Sequence, residues 1–163
     1  MSTEQEKSFI ARIRCGAAKL GFIRGWLSGN EPNLLTTSDD NDDLITYFRC
    51  YADYYNIQIR SAACFGNFIS KNSNGNLAAC LPAGGNTTSY NLLDTHQRII
   101  TLDSIQGDEA IIYLKARSAS TIKLEETPAY EWFSGDPHGN VVQFELKILE
   151  RNVPYPTSNE PYS

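Results

Sequence analysis

The segment from Tyr130 to Asn140 contains the residue types that proteins use to bind sugars. Its sequence is Tyr-Glu-Trp-Phe-Ser-Gly-Asp-Pro-His-Gly-Asn, in which polar residues alternate along a loop restricted by glycine and proline. An aromatic ring stacks on the C–H face of a pyranose, and carboxylate, imidazole and amide groups hydrogen-bond to its hydroxyls. The sequence therefore predicts a carbohydrate site composed of Trp132, Asp136, His138, Asn140 and Tyr130. The alternative is a tight β-hairpin, in which the polar side chains bond their own backbone and the indole packs into the core.

Two other segments are candidates for binding a sugar or a protein. Tyr51, Tyr54 and Tyr55 cluster at a predicted turn. Exposed tyrosines there would form a binding platform, whereas buried ones would close the base of a barrel. The glycine- and proline-rich segment 81–91, which starts at Leu81, is the best candidate for a loop that binds a protein target such as a protease.

Motifs for catalysis or metal binding are missing from the sequence. It has no Gly-x-Ser-x-Gly turn, no phosphate-binding glycine loop and no cysteine pair at zinc-ligand spacing. The acidic run 38–43 begins like a calcium loop, but Leu44 occupies the glycine position and Cys50 the position of the final glutamate. Glu125 and Glu126 are adjacent, so on a strand they would lie on opposite faces. We expect a non-enzymatic protein without a cofactor or a metal.

Composition narrows the class further. The chain has 163 residues, of which 41% are hydrophobic and 20% charged, and this favours one packed domain. Its net charge of −5 argues against a nucleic-acid partner. No apolar run is long enough to span a bilayer, and the first residues lack the pattern of a secretory signal. We therefore expect a cytoplasmic protein, with non-classical release left open, whose cysteines are free buried thiols.

An internal repeat predicts the fold. Residues 9–22 align without a gap on residues 55–68, matching Ile13 with Ile59 and Arg14 with Arg60, and a third copy begins near residue 111. Each copy is followed by three strand-like runs with period-2 alternation, and no helix of ten or more residues is predicted. Three units of four strands predict a β-trefoil, in which a six-stranded barrel is capped by three hairpins. Another β-barrel or a sandwich is the alternative.

The strand-like runs after each copy define the expected elements. They lie at residues 22–27, 34–37 and 44–51 in the first unit, 68–71, 77–80 and 98–103 in the second, and 122–125, 130–133 and 141–149 in the third. We expect a single domain over residues 1–149, with units at about 8–52, 53–104 and 108–149. Residues 150–163 form an extended tail rich in proline and tyrosine, which would pack on the barrel, mediate self-association as a homodimer, or project into solvent.

The second unit resembles the repeat of fascin-like β-trefoils. The resemblance rests on Ile-Gln-Ile-Arg-Ser-Ala at 57–62, Gly-Asn-Phe-Ile-Ser at 66–70 and Asn-Gly-Asn-Leu-Ala-Ala at 74–79. It implies the fold more strongly than an activity, because trefoils include lectins, cytokines, protease inhibitors and actin crosslinkers. The Gln-x-Trp signature of ricin-type lectins is absent. The leading hypothesis is a lectin that binds a glycan or glycoprotein. The alternatives are a protease inhibitor, an actin-binding module, or a toxin or defence protein that recognises a host surface.

Overall fold

Alternation of apolar and polar residues places one face of each strand in the core. In the last strand, Phe144, Leu146 and Ile148 are buried, whereas Glu145 is exposed and Lys147 is half-buried. The computed structural model describes residues 5–23, 33–39, 42–80, 88–117, 119–128, 130–135 and 140–162. Within these residues the regular structure consists of strands and one short 3₁₀ turn, Leu102–Ser104. The chain is therefore an all-β protein.

Fourteen strands are present in the described residues. In chain order they are β1 Phe9–Cys15, β2 Ala18–Ile23, β3 Leu34–Ser38, β4 Leu44–Tyr51, β5 Tyr54–Ile59, β6 Phe68–Lys71, β7 Leu77–Cys80, β8 Ser89–Leu93, β9 Ile99–Ile100, β10 Glu109–Ala116, β11 Lys123–Glu126, β12 Glu131–Ser134, β13 Asn140–Val141 and β14 Phe144–Arg151.

The strands close into an antiparallel barrel. Hydrogen-bonded pairs run without interruption through nine strands, in the order β1, β2, β3, β7, β6, β5, β8, β10 and β14, and β14 pairs again with β1. Strand β4 pairs with β1 on one side and with β5 on the other, and so connects two strands of this circuit directly. A shorter circuit of six strands, β1, β4, β5, β8, β10 and β14, is thereby also closed. Closure leaves few unpaired strand edges, which is how antiparallel proteins avoid edge-to-edge association.

Aromatic side chains fill one end of the core. The rings of Phe9 and Phe48 stack with centroids 4.7 Å apart, and Tyr55 meets Phe9 edge-on at 5.5 Å. The buried hydroxyl of Tyr55 donates to the carbonyl oxygen of Lys7 at 2.7 Å and accepts from the backbone N–H of Leu102 at 3.0 Å. A phenol with both hydrogen bonds satisfied is compatible with complete burial.

Several predicted strands coincide with observed ones. The runs at 68–71 and 77–80 match β6 and β7, and the prediction of strands rather than a helix between residues 11 and 20 is confirmed by β1 and β2. The strand predicted at 98–103 is wrong, because the longer strand in this part of the chain is β8, followed by a turn in which Asp94 accepts from the N–H of Arg98. Only Ile99–Ile100 of the predicted run pairs with β8.

The C-terminal tail packs along the outer surface of β4 and β5. The N–H of Val153 donates to the carbonyl oxygen of Ser8 at 2.9 Å, and Tyr47 donates its hydroxyl to the Val153 carbonyl at 2.8 Å. Further along, the N–H of Tyr162 donates to the carbonyl oxygen of Arg60 at 2.7 Å. Of the three arrangements the sequence left open for the tail, packing on the barrel is the one observed.

All four cysteines are free thiols, but the prediction that they are buried holds for Cys50 alone. Cys50 is buried and donates to the carbonyl oxygen of Ala52 at 3.4 Å, whereas Cys15, Cys64 and Cys80 are half-buried. Burial raises the pKa of the Cys15, Cys50 and Cys64 thiols above the usual value. These thiols are therefore weak nucleophiles at neutral pH.

Candidate functional site

The hairpin formed by β11 and β12 positions the predicted aromatic residues. Its register pairs Glu125 with Trp132 and Glu126 with Glu131. Residues directly opposite each other share a face of the sheet, so Trp132 lies on the Glu125 face, while Phe133 faces the core with no exposed surface. Glu125 and Glu126 are on opposite faces, as their adjacency predicts. The hairpin thus separates a core face from a face that carries the indole.

Tyr130 and Trp132 form an aromatic pair on that outer face. Their ring centroids are 5.3 Å apart and the rings are inclined by 46°. Both side chains are half-buried, and the indole Nε1 is buried without a hydrogen-bond partner among the described residues. A buried N–H without a partner is uncommon, since such groups are normally satisfied by protein or water. Trp132 is thus half-buried with its Nε1 inside the protein, so both the sugar site and the hairpin alternative with a packed indole stay open at this residue.

The other predicted sugar-site residues do not join this pair as expected. Asn140 begins β13 and pairs with Leu124, one position away from the Glu125–Trp132 pair. Because faces alternate with each residue, the register places Asn140 on the face opposite the indole. The register therefore does not place Trp132 and Asn140 side by side on one face, and Asn140 as a sugar ligand stays a prediction. Asp136 and His138 lie outside the described residues.

A cleft of about 440 Å³ lies beside Tyr130, at the turn of the hairpin, and Trp132 is not among the residues that line it. Its polar lining includes Thr36 and Thr37 from β3 together with Glu126 and Glu131, and Tyr130 forms part of its wall. The hydroxyl of Thr37 donates to Glu131 Oε1 at 2.9 Å. Hydroxyls and carboxylates beside an aromatic ring are the groups that sugar recognition requires.

Sequence reasoning missed the contribution of Thr37 and Glu131. The two residues are 94 positions apart, and no local motif connects them. The repeat offered the available signal, because it placed the second hairpin strand of the first unit at 34–37 and that of the third at 130–133. Only the packing of β3 against β12 brings these equivalent strands together.

The three tyrosines of the cluster differ in burial, and a binding platform there stays a prediction. Tyr55 is fully buried in the core, whereas Tyr51 and Tyr54 are half-buried and stack with centroids 5.7 Å apart. The Arg49 guanidinium lies 5.2 Å from the Tyr51 ring centroid, and that of Arg117 lies 4.1 Å from the Tyr54 ring centroid. Cations therefore cover part of these rings. The other protein-binding candidate, segment 81–91, lies outside the described residues up to residue 87.

The described part of the chain contains no group of three or more His, Cys, Asp or Glu side chains placed to hold a metal ion. It also contains no helix with the length and apolar character that a membrane crossing needs. Comparison with protein-family models, with curated proteins and with solved structures found no match.

Proposed function

We propose that this chain is a non-enzymatic carbohydrate-binding protein with a β-trefoil architecture. Three pairs of adjacent strands support the architecture: β2 with β3, β6 with β7, and β11 with β12. Each pair falls between strands of the six-strand circuit, after β1, β5 and β10 respectively. This order agrees with the threefold repeat in the sequence, and a trefoil is the arrangement in which one hairpin per unit caps a six-stranded barrel.

The half-exposed Tyr130–Trp132 pair beside the cleft is the observation that carries the functional proposal. Tyr130 belongs both to the aromatic pair and to the wall of the cleft, where Glu126, Glu131 and Thr37 supply hydrogen-bonding groups. Trp132 lies on the opposite face of β12 from Glu131 and extends the apolar surface of Tyr130 there. Neutral sugars combine an apolar C–H face with vicinal hydroxyls, so they match this combination. The proposed site is therefore centred on Tyr130, with Trp132 beside it and with the cleft carboxylates and Thr37 as additional hydrogen-bonding groups.

A broad glycan array tests the proposal when it is probed with the purified chain and with Trp132→Ala. We expect saturable binding to a related set of sugars, lost in the variant while its circular dichroism spectrum stays native. Tyr51→Ala is the matched control, because it removes a half-buried aromatic side chain from the other ring pair and should leave binding unchanged. A blank array with folded protein would overturn the proposal. Loss of binding in the control alone would also overturn it.

A further inference from the structure

Charged side chains form two rows on the outer surface of β1, β14 and β10. In one row Arg12 lies opposite Lys147, and Lys147 lies opposite Glu109. In the next row Arg14 lies opposite Glu145, and Glu145 lies opposite Ile111. Antiparallel pairing keeps all these side chains on one face. The surface is therefore a compact patch of both charge signs, with one aliphatic residue in it.

Neighbouring acids pair with two of the three cations in this patch. Arg14 makes a two-pronged ion pair with Asp43, at 2.7 and 2.8 Å. Lys147 Nζ lies 2.7 Å from Asp108 and 3.9 Å from Glu109. Arg12 and Glu145 form no ion pair with a described residue. Glu145 is two residues from Lys147, the residue directly opposite Arg12, and Cα atoms in this diagonal relationship are about 7–8 Å apart. A cation and an anion thus stand close together without contacting each other.

A cavity of about 630 Å³ lies at this place. Arg12, Glu145 and Glu109 line it, together with Thr95 from the turn after β8 and the side chain of Ile111. Ile111 is 47% exposed and gives the cavity an apolar surface. The Nε atom of Arg12 is buried and has no hydrogen-bond partner among the described residues. Arg12 and Glu145 are therefore the charged groups of this cavity that form no ion pair with a described residue, whereas Glu109 lies 3.9 Å from Lys147 Nζ.

We propose that this cavity binds a free α-amino acid with an aliphatic side chain. The ligand carboxylate pairs with the guanidinium of Arg12, and its ammonium group pairs with the carboxylates of Glu145 and Glu109. The aliphatic side chain covers Ile111, and the Thr95 hydroxyl supplies a further hydrogen bond. A zwitterion whose two charges are one carbon apart fits between Arg12 and Glu145 better than a single ion, which would leave one of them unpaired. This site lies on different strands from the aromatic cleft.

Titration of the ¹⁵N-labelled chain with L-leucine tests the proposal by NMR. We expect saturable amide shifts at Thr95, Ile111 and Glu145. Arg12→Gln and Glu145→Gln should each weaken binding at least about tenfold, because each removes a charge-assisted hydrogen bond. Glu150→Gln is the matched control, since it alters an exposed carboxylate on the same strand outside the cavity, and it should bind like the unmodified chain.

Two analogues separate a zwitterion site from a simple ion site. Isocaproate lacks the amino group and isopentylamine lacks the carboxylate, so each should bind at least about tenfold more weakly than leucine. Equal affinity for either analogue overturns the proposal. No saturable shift with leucine overturns it as well, as does a leucine affinity that both charge variants retain. Sugar binding at Trp132 is independent of every one of these outcomes.

Discussion

The guanidinium of Arg60 donates a hydrogen bond to the carbonyl oxygen of Ser158, 3.0 Å away and 98 residues later in the chain. The same side chain lies over the ring of Phe65, with its central carbon 4.6 Å from the centroid. Arg60 is only 5% exposed, and desolvation lowers the pKa of its guanidinium. Arg60 lies on the outside of the barrel, and it is buried because the C-terminal tail around Ser158 covers it. The tail is therefore part of the folded structure.

Deleting residues 154–163 should destabilise the protein by about 3 kcal/mol, because several partly buried hydrogen bonds worth about 1 kcal/mol each are lost. These include the bonds from Arg60 to Ser158 and from Gln58 to the Tyr155 hydroxyl at 3.1 Å. Deletion also removes the Tyr155 ring that lies under Arg49 at 4.7 Å. Urea unfolding followed by fluorescence measures the change. Tyr155→Phe, which keeps the ring, should cost about 1 kcal/mol, and a truncated chain as stable as the full one would contradict this account.

Alkaline pH should destabilise the fold through its buried tyrosines. Burial raises the pKa of Tyr55 and of Tyr90 far above the usual value near 10. Their contribution to stability is fully present below pH 10 and is lost as the pH rises further, because only the unfolded chain then ionises. Each tyrosine should lower the free energy of unfolding by about 1.4 kcal/mol per pH unit.

Urea unfolding at a series of pH values from 8 to 11 checks this slope. Tyr55→Phe and Tyr90→Phe should each make the decline above pH 10 shallower, although both lower stability at neutral pH. The neutral-pH cost of Tyr55→Phe is about 1–3 kcal/mol, because the carbonyl of Lys7 and the N–H of Leu102 lose a partner. If the free energy of unfolding declines equally steeply above pH 10 in both variants and in the unmodified chain, the buried tyrosines are not the cause of the decline.

Acid should remove the stabilisation from the Arg14–Asp43 pair. The hydrogen bonds from Arg14 hold the pKa of the Asp43 carboxyl below its usual value. Stability from this pair is therefore present above the unfolded pKa, near 3.8, and is lost as the pH falls through the lower folded value. Asp43→Asn should lower the thermal midpoint at pH 7, and the difference from the unmodified chain should shrink below pH 4. A pH-independent difference would assign the effect to packing instead.

Cys50 should be protected from thiol reagents until the protein unfolds. Its side chain is 1% exposed and burial raises its pKa, so both access and thiolate population are low. Labelling with iodoacetamide at pH 7.5, followed by peptide mass spectrometry, should show slow modification of Cys50 compared with half-buried Cys64. Full labelling of all four cysteines should follow in urea. Equal labelling rates for Cys50 and Cys64 in the folded chain would show that the core opens readily at β4.

Local sequence patterns were sufficient to predict many of the segments that form strands. The alternation of Phe144, Leu146 and Ile148 identifies β14, and Asn74-Gly75 predicts the turn between β6 and β7, where Gly75 has a φ of 82°. Strand β8 was missed because its first residues, Ser89 and Tyr90, were included in the glycine- and proline-rich segment 81–91. In that setting the apolar residues at 92 and 93 did not suggest a separate strand.

The candidate site was less predictable, because its composition depends on register and on distant packing. Sequence proximity groups Asn140 with Trp132, but the pairing of β13 with β11 puts them on opposite faces. The hydroxyl of Thr37 reaches Glu131 only because β3 packs against β12. A single sequence specifies which residues alternate along one strand, but not which residue of a distant strand stands opposite.

The indole N–H signal of Trp132 tests the central claim most directly. A ¹⁵N–¹H spectrum of this chain contains two indole signals, since it has two tryptophans, and Trp132→Phe assigns the one concerned. The account predicts that an oligosaccharide selected on the glycan array shifts this signal saturably, with the same dissociation constant as the amides of Glu126 and Glu131. An oligosaccharide that binds while the Trp132 signal stays unchanged would contradict the proposed site. Failure of every oligosaccharide to bind the folded chain would contradict the function.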